Sequence, residues 1–399
     1  MKQEKLNRRD FLKISAFLGA GLIIPRKLDY LLTNNEPWPK VDIKDLSPFY
    51  RDILLRTPKT DFSASGIMQM GVVENGVTVM REIPVDQTNF NKKFLDLLYR
   101  YHNPGWRFVS DQPIGLAWHW FGDRPTDAAR WYPNGTAREY IEGGLCGDNS
   151  VQFVVGDGVP EPGQKALDKK LSIVQAEFPD YQGNWIISAH IVQVDRSLQT
   201  THQQYYCRAY QSLLKEYGFS DCLTGTIIQR LYQPGFNDKP NKQLVGIEIQ
   251  GCLFNDPLSF PSPQKLANVL AVSLAIIKRN RISSPAFNAY GHGELDLLKS
   301  DPGKNFVLGM KILIGISALV SGDDELKDLV FGPFTLGGKI TKEKAVANYF
   351  SFVKNYFSIT ASPHSYVYYW LRFFEFENIQ ELVSRNLKTN SGLQTFRGI

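Results

Sequence analysis

The chain of 399 residues lacks several features that would place it quickly. Its four cysteines (Cys146, Cys207, Cys222 and Cys252) fit no paired metal-binding spacing, which excludes the zinc-finger and iron–sulfur motifs built on such pairs. The apolar runs Ile14–Ile24 and Val307–Val320 both fall short of the ~20 residues that a membrane-spanning helix requires. A basic face is missing too. The formal charge is +5, but residues 1–27 carry seven basic side chains against two acidic ones, which accounts for the whole excess. The remainder is neutral, with no stripe to neutralise phosphates, so nucleic acid is excluded as a partner. There is no internal repeat and no low-complexity tract, which excludes a solenoid or a tail-like chain.

What is present is enough apolar material for a large core: 43% of residues are hydrophobic and 13% aromatic. The length suits one large domain or two smaller ones. Residues 28–66 read as a lead-in, with an irregular linker at 34–39. Gly66–Ile83 alternates around Glu74-Asn75-Gly76, an Asn-Gly hairpin signal. Short apolar runs bounded by turn residues predict strands at Ile114–Trp120, Ser150–Gly156, Asn184–Val194, Thr226–Leu231 and Leu244–Gly251. Helical spacing predicts helices at Phe90–Tyr101, Gly163–Phe178, Thr201–Tyr217, the Ser262-Pro263 start with its apolar stripe through Ile277, Val307–Val320 and Thr341–Phe357. Residues 323–340 read as loop. Strands interleaved with helices indicate an α/β fold with a central mixed β-sheet flanked by helices. A mostly helical C-terminal region, 316–399, follows. Its aromatic segment Tyr366–Phe376 reads as a helical cap on the core or as a carbohydrate-binding surface.

Within the leader, Asn7-Arg8-Arg9-Asp10-Phe11-Leu12-Lys13 followed by the apolar run resembles a twin-arginine export signal. The resemblance implies the twin-arginine translocase as a partner and a periplasmic, cell-envelope or extracellular destination. No small-x-small cleavage site follows, so residues 1–27 are either removed or retained as an N-terminal membrane anchor. Cys207 and Cys222 flank a helix and could be bridged after export; free buried thiols are the alternative.

Three stretches carry chemistry. Tyr290 to Phe306 packs His292, Glu294, Asp296, Lys299 and Asp301 into a short irregular segment ended by Pro302-Gly303. A His and an Asp nine positions apart, with a Lys two before the Asp, can supply two metal ligands and a positive charge; Glu294 and Asp296 are rival carboxylates. Strand alternation puts Gly115, Ala117 and His119 on one face and Leu116, Trp118 and Trp120 on the other. His119 is then either a ligand or a structurally satisfied strand histidine. In the same way Val245, Ile247 and Ile249 face a helix while Gly246, Glu248 and Gln250 face away. A carboxylate projecting from mid-strand must be hydrogen-bonded structurally or be catalytic, because burying it unpaired is costly.

In their order along the chain these stretches resemble the zinc-dependent N-acetylmuramoyl-L-alanine amidases of the type-2 class, relatives of the peptidoglycan recognition proteins. The resemblance spans residues 112–315. It includes the Ser188-Ala189-His190 strand ending in Asp195-Arg196, and its most specific part is Lys299-Ser300-Asp301-Pro302-Gly303. It implies a zinc amidase domain over 67–315, with Zn2+ held by His119, His292 and Asp301 and water in the fourth position. It further implies Glu248 as general base, Lys299 as the oxyanion partner, and His190 as a supporting or structural residue outside the ligand set. The expected activity is hydrolysis of the amide between N-acetylmuramic acid and L-alanine in peptidoglycan or muropeptides.

The chain departs from the family pattern by an insertion at 197–223 and by the absence of a Trp-His-x-Gly match in Gln233–Asn237. A non-catalytic peptidoglycan binder on the same fold, and a zinc hydrolase of another amide, are the competing expectations.

Overall fold

Two sheets and a layer of helices make up the described part of this computed structural model, residues 37–83, 113–120, 151–156, 173–175, 201–219, 243–251, 260–295, 301–360 and 364–394. The leader, the helix expected at 90–101 and the strands expected at 184–194 and 226–231 lie outside those residues.

Helix α1 (Pro48–Arg56) opens on a proline at its first position, where the missing N–H is no loss. Strands β1 (Thr60–Phe62), β2 (Met68–Glu74) and β3 (Val77–Glu82) then form an antiparallel sheet in that order. Asn75 and Gly76 both have positive φ (51° and 79°), the two-residue turn whose twist suits a hairpin. The second sheet contains β4 (Gly115–Trp120), β5 (Phe153–Val155), β6 (Ile173–Gln175), β7 (Leu244–Ile249) and β8 (Ala289–Gly291), ordered β6-β5-β7-β4-β8. Strands β5, β7, β4 and β8 run parallel, and β6 closes one edge antiparallel to β5. The helices are α2 (Thr201–Glu216), α3 (Pro263–Asn280), α4 (Pro285–Asn288), α5 (His292–Leu295), α6 (Lys304–Val320), α7 (Asp324–Phe331), α8 (Lys342–Thr360), α9 (His364–Phe373) and α10 (Phe376–Gln394). The fold is therefore α/β with a mixed sheet.

The register of the parallel strands assigns the two faces of the second sheet. Trp118 pairs with Ile247 and with Gly291, and Ile247 pairs in turn with Phe153. This apolar face packs on α3 and α6: Trp118 Nε1 donates to Ser273 Oγ at 3.1 Å, and the Trp118 ring meets Phe306 edge-on at 6.2 Å. The opposite face carries Ala117, His119, Gly246, Glu248 and Tyr290. Helix α3 starts as its sequence indicates, with Ser262 Oγ accepting from Lys265 N.

Some expected elements differ. The stretch Tyr290–Phe306, read as irregular, contains the end of β8, helix α5 and the start of α6. Residues 173–175, within the stretch read as a helix at 163–178, form edge strand β6. A three-residue strand has too little length to show a period of two, and its identity comes from pairing with β5. Residues 323–340, read as loop, contain α7 and a 3-10 turn at Gly332–Thr335. Asp323 caps α7 by accepting from Leu326 N, and Leu326, Leu329 and Val330 are buried on its inner face. The Gly and Pro residues after Phe331 masked that short helical pattern.

One continuous core runs from Trp38 to Val383. The described part of the 28–66 lead-in belongs to it. Trp38 Nε1 donates to Asp328 Oδ1 at 2.7 Å, Val41 N to Leu319 O at 3.3 Å, and the Tyr50 hydroxyl to Phe374 O. The boundary placed at 315/316 falls inside α6, around which α7 and α8 pack. Among the described residues no helix is long and apolar enough to cross a membrane.

Candidate metal centre

Parallel strands that end side by side leave a crevice at their carboxyl edge, where α/β folds commonly bind ligands. Here β7, β4 and β8 end together. Glu248 and His119 lie next to the ends of β7 and β4 and are register partners. Neighbouring strands are about 4.8 Å apart, and paired residues project to the same face, so both side chains lie on one face of the sheet. On the other side of β4, Trp118 pairs with Gly291, and His292 is the next residue beyond the end of β8. The His119 and His292 rings accordingly lie side by side, with centroids 4.5 Å apart.

Asp301 comes from the turn before α6. Its Oδ2 is 3.2 Å from His292 Nδ1 and 3.5 Å from His119 Nδ1. The turn is tied back to the histidine segment by Gly293 N donating to Asp301 O at 2.9 Å. Gly291 is required by close approach: a Cβ there would meet Val307 Cγ2 at 2.7 Å and Pro302 Cδ at 3.1 Å. The start of α6 and the turn that holds Asp301 can reach the histidines only because that side chain is missing.

His119, His292 and Asp301 are all buried. Burial alone would push the Asp301 carboxyl up, but hydrogen bonds and charge from His119 and His292 more than reverse this and hold it well below the usual carboxylate range. One ligand atom from each residue lies within 4.8 Å of the others. Metal–nitrogen and metal–oxygen bonds of about 2.0–2.1 Å in a tetrahedron imply ligand–ligand edges of about 3.3–3.4 Å. The two Asp301–histidine distances fall on either side of that value. A neutral ring that offers Nδ1 to a metal keeps its proton on Nε2. His292 Nε2 is buried without a hydrogen-bond partner among the described residues. The group could hold a metal ion. Family models, curated proteins and solved structures were compared with the chain, and none matches.

Of the residues singled out in the sequence, the fold brings His119, His292 and Asp301 into one cluster, with Glu248 in register beside it. Lys299, His190 and Asp296 lie outside the described residues. Glu294, a rival carboxylate by sequence, points elsewhere. Its Oε2 accepts from Gly291 N at 3.0 Å, and its Oε1 accepts from the Tyr356 hydroxyl at 2.5 Å. Lys311 of α6 lies 4.0 Å from Glu294 Oε2 and 4.0 Å above the Tyr356 ring. The sequence offered Glu294 only as a rival carboxylate and singled out neither Lys311 nor Tyr356. A lone Lys in an apolar helix was the available signal, since burying its charge requires a partner.

Proposed function

We propose that this chain is an exported, zinc-dependent amidase that hydrolyses the bond between N-acetylmuramic acid and L-alanine in peptidoglycan, on a type-2 amidase-like fold. The observation that carries the reading is the meeting of His119 with His292 and Asp301, which follow it by more than 170 positions, in one buried cluster at the carboxyl edge of the sheet. Those are the positions at which the family resemblance carries ligands. Two imidazoles and one carboxylate leave a tetrahedral metal one open position, the arrangement of catalytic rather than structural zinc.

When bound, the metal supplies Lewis-acid polarisation of water and of the scissile carbonyl. The chain's own residues do the rest. Asp301 would offer a carboxylate oxygen, and His119 and His292 their ring nitrogens, as the three ligands. Glu248, in register with His119, is the general base: it takes the proton from attacking water and passes it to the leaving nitrogen of L-alanine. Lys299 is assigned by resemblance to steady the developing oxyanion. His119, Glu248, His292 and Asp301 are themselves buried, which limits bulk water around them. The twin-arginine-like leader fits the substrate, because peptidoglycan lies outside the cytoplasmic membrane.

Digestion of purified peptidoglycan, with mass spectrometry of the products, tests the reading. Free stem peptides beginning with L-alanine, together with glycans that keep intact muramic acid, are expected. Binding without any cleavage would leave the non-catalytic reading standing, and cleavage confined to another amide would redirect the substrate assignment.

A further inference from the structure

The buried cluster behind the metal loop has no part in the chemistry above, yet its geometry is directed at that loop. Glu294 lies two residues after His292, and its two oxygens are engaged on opposite sides. One accepts the backbone N–H of Gly291, the residue immediately before His292, and the other accepts the hydroxyl of Tyr356 on α8. Lys311 is fully buried, has no hydrogen-bond partner for its ammonium among the described residues, and lies within 4.0 Å of both the Glu294 carboxylate and the Tyr356 ring. Tyr349 holds the backbone of Lys311 by donating to its carbonyl at 2.8 Å, and the Tyr210 ring meets Tyr356 edge-on at 5.5 Å.

Such a cluster is expensive if it only fills space. Apolar side chains of the same volume pack as well and avoid desolvating a charge pair. Its advantage is directional, because hydrogen bonds to a carboxylate are short and strong and fix the atoms they join. Here the joined atoms are the backbone that aims His292 and a hydroxyl on α8, a helix beyond the span of the family resemblance.

We propose that Glu294, Tyr356 and Lys311 form a brace by which the C-terminal helical region positions His292. Tyr356 and Glu294 are thus positioning residues acting through the Gly291 N–H, and Lys311 packs against both of them. The proposal rests on His292 being a metal ligand.

The test uses the full-length purified protein and three variants: Tyr356→Phe, Glu294→Gln, and the packing control Phe350→Leu on the same helix. Zn2+ affinity is measured by competition with a chromophoric chelator, ligand geometry by the absorption spectrum of the Co2+-loaded protein, and loop mobility by amide exchange over 289–295 in the metal-free protein. Removing a supporting partner of a metal ligand typically weakens binding 10–100-fold, so Tyr356→Phe is expected to lose about tenfold and Glu294→Gln somewhat more. Both should alter the Co2+ spectrum and speed exchange around Gly291. Their combination should lose no more than Glu294→Gln alone, and Phe350→Leu should keep wild-type affinity and spectrum. Folded Tyr356→Phe and Glu294→Gln proteins with wild-type affinity, spectrum and exchange would overturn the brace while leaving the metal centre intact. If wild type itself binds neither ion, the metal reading fails, and exchange in the metal-free variants decides the brace alone.

Discussion

His119 and Glu248 are register partners on adjacent parallel strands, so the backbone pairing of β4 and β7 sets their separation. The candidate ligand and the proposed base are therefore placed by main-chain hydrogen bonds and not by a loop, which suits chemistry that needs fixed distances.

That relationship makes Glu248→Gln the sharpest probe of catalysis. The amide fills the same space but cannot take and return a proton. The variant should keep its metal and its affinity for peptidoglycan while turnover falls by roughly 10²–10⁴-fold, the usual scale of general acid–base catalysis. Near-normal hydrolysis by metal-replete Glu248→Gln protein would remove Glu248 from the mechanism.

The metal centre predicts about one zinc per chain, lost on replacing His119, His292 or Asp301 with Ala, because two remaining ligands hold zinc poorly. Elemental analysis after gel filtration reads this directly. Metal-free protein should also gain stability on adding zinc, by about 2.7 kcal/mol at a hundredfold excess over Kd, seen as a rise in Tm. An Asp301→Ala protein that keeps a full complement of metal would contradict the ligand set.

Gly291→Ala tests the close approach of α6 to the metal loop. A methyl group 2.7 Å from Val307 Cγ2 must displace α6 or the turn at Pro302. Overpacking of this kind costs about 1–3 kcal/mol, so denaturant unfolding should show a lower midpoint with an unchanged slope. Metal affinity should fall with it, because the displaced turn carries Asp301. Unchanged stability and metal affinity would mean that the neighbours yield freely.

For export, Arg8→Lys combined with Arg9→Lys should leave folded protein in the cytoplasm. Fractionation followed by immunoblotting checks it. Normal export of the double variant in cells lacking the twin-arginine translocase would refute the leader reading.

Most of the sheet and the helices around it were legible because their signals are local. Alternation exposed β4 and β7, the Asn75-Gly76 pair exposed the hairpin, and Ser262-Pro263 marked the start of α3. Strand β6 was not legible, since three residues carry no period and its strand character depends on its partner. Helix α7 was hidden by the Gly and Pro residues that follow it, although Asp323 with Leu326, Leu329 and Val330 carried its cap and stripe. Of the candidate site, His119, His292 and Asp301 were singled out by resemblance, whereas the fold alone shows that Asp301, and not Glu294, lies against the two histidines. The role of Tyr356 depends on a contact across 62 positions, which no local pattern encodes.

The contacts that join residues 38–50 to Leu319, Asp328 and Phe374 bear on how the molecule can be dissected. The two ends of the described chain clasp each other around α6, so neither is an appendage of a self-sufficient core built on the sheet alone. Truncation at 66 or at 315 would strip the covering from buried aromatic surface and, in the second case, cut α6 before its last turn. Fragments with those boundaries should be recovered as aggregates or as protease-sensitive species, and the smallest soluble unit should run from about residue 37 to beyond Val383.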